Sequence, residues 1–447
     1  MDLIAEFGSN NPSDPPMSTI STQPVKGMRD ILGNQARVKR RIERIIQETA
    51  LRYGFEPMQV PVLENLDVLL VKGGGGEAAQ KELYTLEDQS GRKLGMRFEF
   101  TTSLARVLAG NPDLPKPFKS LNMGTVYRYD NPQALRYREF TQADVDIVGS
   151  NSPLADAECI SLAIDVTQQL GFEECYIRVS DRRLTNALIT LCGVPEDQAK
   201  ECMRSLDKLD KIGIEGVKKE LQSKKIPTKI LDYLKSDLKQ IRRELEKAKL
   251  SLEGVECLEK VMGYLESQKK LQFVKFDPSL VRGLDYYTGT VMEIFGGATV
   301  SIGGGGRYDN LIRSLGGPQL PAVGISFGVD RLTDLLADKQ VEVPVEVFVI
   351  PIGKVEAEAF SLVGKLRENG FKAEMDLMKR NLSKNLASVN TRNIPLVLFL
   401  GEDELAQNQA KIRDMASGEE KLVELSPFGK LKEYLSSRLG KKNNSTQ

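Results

Sequence analysis

The sequence predicts an α+β protein, in which an antiparallel sheet flanked by helices is interrupted by a helical segment and followed by a smaller α/β module. Three observations predict it. Two extended runs flank Pro132-Gln133, and the second, 136–149, places Arg138, Phe140, Gln142, Asp144 and Asp146 alternately on one face. From about Asp181 to Gln272 the pattern is helical and rich in Lys and Glu. Beyond 338–344, strand-like and helix-like stretches alternate as β-α-β-α-β.

A chain of 447 residues is too long for one ordinary domain, so two or three are expected, each with its own core. Its 62 basic residues offset 62 acidic ones, which removes the easy argument for a nucleic-acid partner while leaving room for a local basic face. The five cysteines include no Cys-x-x-Cys pair, and no apolar run has signal or membrane length. Free thiols in a reducing, cytosolic compartment are expected. Histidine is absent altogether. Ser-His-Asp and Cys-His triads, imidazole bases and His-containing zinc sites are therefore excluded. Carboxylates, arginines, tyrosines, backbone dipoles and the substrate's own groups remain.

Residues 1–24 carry Pro12, Pro15, Pro16 and Pro24 among Ser, Thr and Asn and are expected to be a disordered lead. Glu6-Phe7-Gly8-Ser9 resembles a cloning-site linker, which makes Met17 the expected native start. Over 35–53, Val38, Ile42, Ile45, Ile46 and Ala50 recur at helical spacing, with Gly54 as the C-cap signal. The extended 55–63 stretch carries Pro57 and Pro61, which suits a packing or dimer surface. Gly73-x-Gly75-x-x-Ala78 follows a strand-like 68–71 and fits the loose dinucleotide pattern. Its context fails, because a short helical piece at 77–83 leads into an antiparallel hairpin, 84–87 and 93–100, rather than a βαβ unit. Neither glycine cluster is followed by Lys-Ser or Lys-Thr, so the P-loop is excluded as well. Glu99 and Thr101 lie two apart at the end of that hairpin and would share a face. Capping of the next helix by Thr102 or Ser103 is the alternative.

Polar groups on a central sheet are costly to bury unless paired, so the Arg138 to Asp146 face points to a lined cavity, with a solvated edge hairpin as the alternative. A helix over 155–171 and a strand over 174–179 follow. The stretch Arg282-Gly283-Leu284-Asp285-Tyr286-Tyr287-Thr288-Gly289 then precedes an expected hairpin, 290–295 and 298–302, joined at Gly296-Gly297 and followed by Gly303 to Gly306. Glycines let backbone approach a ligand, and arginine and tyrosine supply a charged fork and directed hydroxyls. Both hairpin ends could face one polar small molecule; a surface turn is the alternative. Strands over 345–350, 371–375 and 396–400 with helices over 356–368 and 383–392 complete the chain.

Tyr127 to Gln133 with Arg138-Glu139-Phe140-Thr141-Gln142 resembles motif 2 of the class II aminoacyl-tRNA synthetases. Gly303 to Asp309 and Gly324 to Leu332 resemble the approach to motif 3 and motif 3 itself, and 35–63 resembles the motif 1 dimer element. Arg282 to Gly289 is similar to the stretch that marks the histidyl-tRNA synthetase family, and Asp146 in place of glutamate suits its archaeal and eukaryotic branch. The resemblance implies a class II catalytic domain over 25–180 and 273–338, a helical insertion over 181–272, an anticodon-binding α/β domain over 344–440 and a tail over 441–447. It also implies a cytoplasmic homodimer, with no membrane contact, that joins L-histidine to tRNA(His) through histidyl-adenylate, with ATP as substrate and Mg2+ whose protein ligands are not assigned. The implied catalytic residues are Arg128, Arg282 and Arg331, with Arg138 added for ATP. Those for histidine are Glu99, Thr101, Gln142, Asp146, Arg282, Tyr286, Tyr287 and Tyr308, and Gln133 is the residue for tRNA. Phe98 stands where many members have proline, and Asn131 where arginine is common. A silent regulatory paralogue or a sensor of uncharged tRNA is the rival reading, against which stand the three arginines and the C-terminal module.

If Arg282 acts at the α-phosphate as the resemblance implies, Arg282→Ala lowers the adenylation rate far more than it weakens ATP binding. Single-turnover kinetics beside ATP titration check this, and equal losses in both would mean that the residue only binds.

Overall fold

The computed structural model describes residues 21–71, 81–172, 174–281, 286–297, 300–339 and 345–440. Expectations for 1–20, the 73–78 glycine pattern, Arg282 to Asp285 and 441–447 lie outside them. The chain divides into two compact units, 1–340 and 341–447.

The strands in chain order are β1 (Glu56–Met58), β2 (Leu63–Asn65), β3 (Thr85–Glu87), β4 (Lys93–Met96), β5 (Phe118–Tyr127), β6 (Glu139–Val148), β7 (Cys175–Asp181), β8 (Val274–Phe276), β9 (Thr290–Gly296), β10 (Ser301–Arg307) and β11 (Ala322–Gly328) in the first unit. Eight of them form one sheet in the order β1-β5-β6-β11-β10-β9-β7-β8. Only its two edge pairings, β1 with β5 and β7 with β8, are parallel. A small sheet, β2-β4-β3, lies beside it.

The Gly33–Arg52 helix forms as its spacing predicts: Val38, Ile42, Ile46 and Ala50 are its buried stripe, and Gly54 (φ +75°) takes the left-handed position that ends it. Pro153 opens the Pro153–Gln169 helix and the Ser152 hydroxyl accepts from the Leu154 amide at 3.2 Å. This helix is buried over most of its circumference because it packs on β11, β7 and β9 on one side and on the Glu253–Ser267 helix on the other. Within 181–272, the Arg182–Leu191 and Glu253–Ser267 helices pack on β7, while Ala199–Leu206, Leu209–Ser223 and Leu238–Lys247 lie between them in sequence. The Leu209–Ser223 helix is broken at Gly213 (φ 68°).

Residues 68–71, expected as strand-like, form no strand: Val68 and Leu69 end a short Leu66–Leu69 helix, and Leu70 and Val71 follow it. A four-residue apolar run has no period of its own to decide the matter. The hairpin at 290–302 forms, but Gly303 to Gly306 lie inside β10 rather than at its polar end, bonded to β9 and β11 on both sides. Glu99 and Thr101 are not on a strand: β4 stops at Met96, and Thr101 opens the Thr101–Gly110 helix.

In the second unit, β12 (Val347–Ile352), β13 (Ala373–Met375), β14 (Leu396–Gly401), β15 (Gln409–Asp414) and β16 (Glu420–Glu424) order as β13-β12-β14-β15-β16. The first three are parallel and the last two antiparallel. Both sheet faces are covered, as a parallel sheet requires. Val347, Val349, Leu396 and Leu398 pack with the Glu356–Glu368 and Phe428–Arg438 helices, whereas Phe348, Ile350, Val397 and Phe399 pack with Val389 of the Leu382–Thr391 helix. Among the described residues no helix is long and apolar enough to cross a membrane.

One buried ion pair ties the sheet to the helix behind it. Arg307, at the end of β10, donates to both oxygens of Asp156, which is fully buried on the Pro153–Gln169 helix, and to the Ser150 carbonyl at 2.9 Å. Removing one partner leaves the other as an unpaired buried charge. Arg307→Ala is therefore expected to destabilise the fold by about 3–5 kcal/mol, with much of the loss recovered in the Arg307→Met, Asp156→Leu double variant, as read by urea unfolding.

Candidate functional site

A cavity of about 550 Å³ opens on the front of the large sheet. It exists because of what the front-facing strand positions lack. Register places Gly304 opposite Ser326 and Gly306 opposite Gly324, and β11 pairs Gly324 with Asp146, Ser326 with Asp144 and Gly328 with Gln142. Five small residues thus form a floor beside a row of polar side chains on β6. Alternate residues, among them Val145, Ile147, Ile325 and Phe327, face the other way and are buried in the core. At Gly324 the absence of a side chain is obligatory, since a Cβ there would lie 1.9 Å from Asp146 Oδ1 and 2.9 Å from the Val145 carbonyl.

At one end, Tyr308 donates its hydroxyl to Asp146 Oδ1 at 2.6 Å, while Asp146 Oδ2 is buried with no partner among the described residues. Burial, with the Glu99 charge adding to it, pushes the Asp146 carboxyl up to about 7 against the opposing Tyr308 bond. Tyr286 packs edge-on against both Tyr287 and Tyr308, at ring separations of 4.9 and 5.9 Å, and is hydrogen-bonded to Thr101. In the middle of the row, Gln142 Nε2 donates to Ser326 Oγ (3.1 Å), and Ser326 donates to Asp144 Oδ1 (2.5 Å). Gln142 Oε1 is left buried and without a partner among the described residues. Glu99 accepts from the Thr101 amide and, at 2.9 Å, from the Thr102 amide, so its carboxylate sits at the positive end of the Thr101–Gly110 helix.

Arg128 lines the same cavity with its guanidinium over the rings of Phe98 (4.4 Å) and Phe140 (5.1 Å) and its Nε directed to the Phe98 carbonyl (3.3 Å). Burial lowers its pKa, with Glu99 and Glu82 opposing. Arg331, from the Val329–Leu335 helix, lines the cavity and donates to the Ser301 carbonyl at 2.5 Å. Its neighbour Asp330 is nine-tenths buried and gathers Arg29 (3.2 Å), Lys39 (3.0 Å) and the Thr141 amide (2.7 Å). Arg29 continues to Asp334 (2.7 Å) and stacks on Tyr137 (3.8 Å), which fastens the segment just before the Gly33–Arg52 helix and the loop after β5 to this helix.

Of the residues expected to share a site, Glu99, Thr101, Arg128, Gln133, Gln142, Asp146, Tyr286, Tyr287, Tyr308 and Arg331 all line this cavity. Arg282 falls outside the described residues. Arg138 is not brought to the cavity. It precedes β6, where the strand alternation has not begun, and its side chain lies over the Tyr129 ring (4.1 Å) with Nε donating to the Asp130 carbonyl (2.9 Å). The lining also includes Phe140 and Asp144, which strand alternation placed on the cavity face, and Ser326, Phe98 and Glu82, to which no role was given from sequence. Ser326 could have been found from the Gly-x-Ser-x-Gly alternation of 324–328, since it faces the same way as the two glycines. Among the described residues no group of three or more His, Cys, Asp or Glu is arranged to hold a metal ion.

A family model described as histidyl-tRNA synthetase matches residues 27–332, and one described as anticodon binding domain matches 346–437. A protein named histidine–tRNA ligase 1 from Bacillus cereus is 38% identical over 416 residues, covering 90% of this chain and 95% of that protein. A histidine–tRNA ligase from Pyrobaculum arsenaticum is 35% identical over 409 residues, covering 90% and 97%. The crystal structure of histidyl-tRNA synthetase from Nostoc sp. PCC 7120 superposes with a TM-score of 0.82 at 28% identity, covering 94% of this chain and all of that one. The bacterial and archaeal relatives are similarly close, so overall identity does not separate the branch that Asp146 suggested.

Gly324→Ala pushes Asp146 out of its place beside Tyr308. Losing a hydrogen bond to a charged group in this way costs about 1.5–3 kcal/mol, so binding of the amino acid for which the relatives are named is expected to weaken roughly 10- to 100-fold. Calorimetric titration measures the loss, and thermal melting of the same variant separates it from unfolding.

Proposed function

The chain belongs to the histidyl-tRNA synthetase family, and on that premise we propose that this histidine–tRNA ligase works through histidyl-adenylate made in the cavity on the front of its large sheet. The observation that carries the proposal is the polarity of that cavity. Asp146 Oδ2 and Gln142 Oε1 are acceptors in need of donors, and Arg128 and Arg331 are cations on the same walls. Histidine brings an ammonium group and an imidazole N–H to the first set, and ATP brings phosphates to the second.

In the proposed first step a histidine carboxylate oxygen attacks the α-phosphorus of ATP, the bond to the bridging oxygen breaks, and pyrophosphate leaves. In the second, a ribose hydroxyl at the tRNA 3′ end attacks the activated carbonyl and AMP leaves. Arg128 would hold the α-phosphate, made rigid by the two phenyl rings beneath it, and Arg331 would meet the adenine and terminal phosphates; Arg282 is assigned by resemblance. Alignment and fixed positive charge carry such a reaction without a protein base, which suits a chain without histidine. Mg2+ arriving with ATP would neutralise phosphate charge. Mg2+ usually meets substrate phosphates with one or two carboxylates rather than an all-protein cage, so it is read as arriving with the nucleotide.

Asp146 and Tyr287 would take the imidazole, with Tyr308 holding Asp146. A site whose buried groups would be left unpaired rejects amino acids that lack both ring nitrogens. The second unit would read the anticodon of tRNA(His), Gln133 would lie near the tRNA end, and the Gly33–Arg52 helix with β1 would form a homodimer surface in the cytoplasm. The regulatory-paralogue reading is not favoured: the relatives above are named as ligases, and the C-terminal domain is present.

Histidine-dependent exchange of pyrophosphate into ATP tests the reading, and absence of stimulation by histidine would overturn it. A pH prediction goes with it. Asp146 gives an imidazole N–H a charged acceptor only as the anion, and its carboxyl is pushed up to about 7. Once the ligand's own titration is taken into account, kcat/KM for histidine should therefore fall about tenfold per unit as pH drops below this value and level off above it.

A further inference from the structure

Two cations line the cavity from separate elements. Arg331 comes from the Val329–Leu335 helix, and Arg128 stands at the root of the loop that follows β5. A site that brings both to one ligand must fix the spacing of those elements. Arg29, in the segment just before the Gly33–Arg52 helix, lies outside the cavity and touches both. Its Nη1 donates to Asp334 Oδ1 (2.7 Å) and its Nη2 to Asp330 Oδ1 (3.2 Å), one turn apart on the helix that bears Arg331. On the loop side its guanidinium lies over the Tyr137 ring (3.8 Å), Nη1 also donates to the Tyr137 hydroxyl (2.8 Å), and that hydroxyl donates to Asp334 Oδ2 (2.7 Å).

The backbone of the same segment grips the loop a second time. The Gly27 carbonyl accepts the Arg138 amide at 2.8 Å, and a Cβ at Gly27 (φ +86°) would lie 2.8 Å from the Arg138 side chain and 2.9 Å from Pro132. The Arg138 carbonyl in turn accepts the Arg128 amide (2.9 Å), so the grip reaches the root of Arg128. Neither carboxylate depends on Arg29 alone. Asp330 also meets Lys39 (3.0 Å) and the Thr141 amide (2.7 Å), and Asp334 also meets Gln35 Nε2 (3.0 Å). Loss of Arg29 therefore strands no buried charge, while it removes the one side chain that touches helix and loop at once.

We infer that Arg29 is a positioning residue for nucleotide binding: acting through Asp330, Asp334 and Tyr137, it holds the Arg331 helix and the loop rooted at Arg128 at the spacing that lets both cations meet one triphosphate. The inference rests on the cavity being the ATP site. Only a planar fork does this work, since one guanidinium bridges two carboxylates while lying flat on a phenol ring, and the point charge of lysine cannot do both.

Calorimetric titration of the full chain with Mg2+-ATP and, separately, with L-histidine tests it. Arg29→Ala should weaken ATP roughly tenfold, the lower end of what one charge-assisted hydrogen bond supplies, and leave histidine within about twofold. Arg29→Lys, which keeps the charge, should recover little of the loss. In an Asp334→Asn background, Arg29→Ala should cost less ATP affinity than it does alone, because part of its path is already gone. Equal weakening of both ligands, unchanged ATP affinity, full recovery by lysine or additive losses in the double variant each overturn the inference. If Arg29→Ala does not fold, Tyr137→Phe, which removes only the hydroxyl link to Asp334, should give a smaller loss for ATP with none for histidine, and no such difference overturns it equally. Failure of the unsubstituted protein to bind ATP overturns the reading of the cavity instead.

Discussion

The structure depends on one constraint: a central sheet cannot bury charged and polar side chains unless something answers each of them. On β6 the chain places Gln142, Asp144 and Asp146 where an ordinary half-buried strand would put its core. The fold answers part of that demand with Tyr308 on Asp146, Ser326 on Asp144 and a helix N-terminus on Glu99. What it leaves unanswered, Asp146 Oδ2 and Gln142 Oε1, defines what a ligand must bring. The cost of burying these polar groups is met elsewhere in the molecule, by the apolar layer behind the sheet.

That layer is built from the opposite side of the same strands. Val145, Ile147, Ile325 and Phe327 are buried there, the Pro153–Gln169 helix packs on β11, and Arg307 is fastened to Asp156 on that helix. Front and back are thus one sequence pattern read at period two, small or polar forward and apolar behind. The aromatic cushion under Arg128 follows the same economy. A guanidinium held against Phe98 and Phe140 has little conformational freedom left to lose on meeting any anion, and Phe98, in a position where resemblance leads one to look for proline, supplies half of that support.

The sequence made some of this legible and hid the rest. The Gly33–Arg52 helix was plain from its apolar stripe, and the second unit from its alternation of strand-length and helix-length runs. The polar face of β6 could be read from spacing alone, because a strand's two faces are written in alternate letters. Arg138 was misplaced by the same rule, since alternation holds only once the strand has begun and Glu139 is its first residue. The role of Glu99 as a cap and the entry of Gly303 to Gly306 into β10 depend on where neighbouring segments lie in space. Ser326 and Asp144 were visible as residues but not as a pair, because register between β6 and β11 is a property of the assembled sheet.

The glycine-floored hollow has a consequence for how errors in assembly are felt. If β11 settled against its neighbours one residue out of step, Ile325 or Phe327 would swing into the hollow and fill it, and Gly324 and Ser326 would replace them in the apolar layer. Such a molecule would lose cohesion and its chamber together. A chain out of step by one residue would thus lack the chamber, so at saturating ligand the number of occupied chambers counts the correctly threaded molecules.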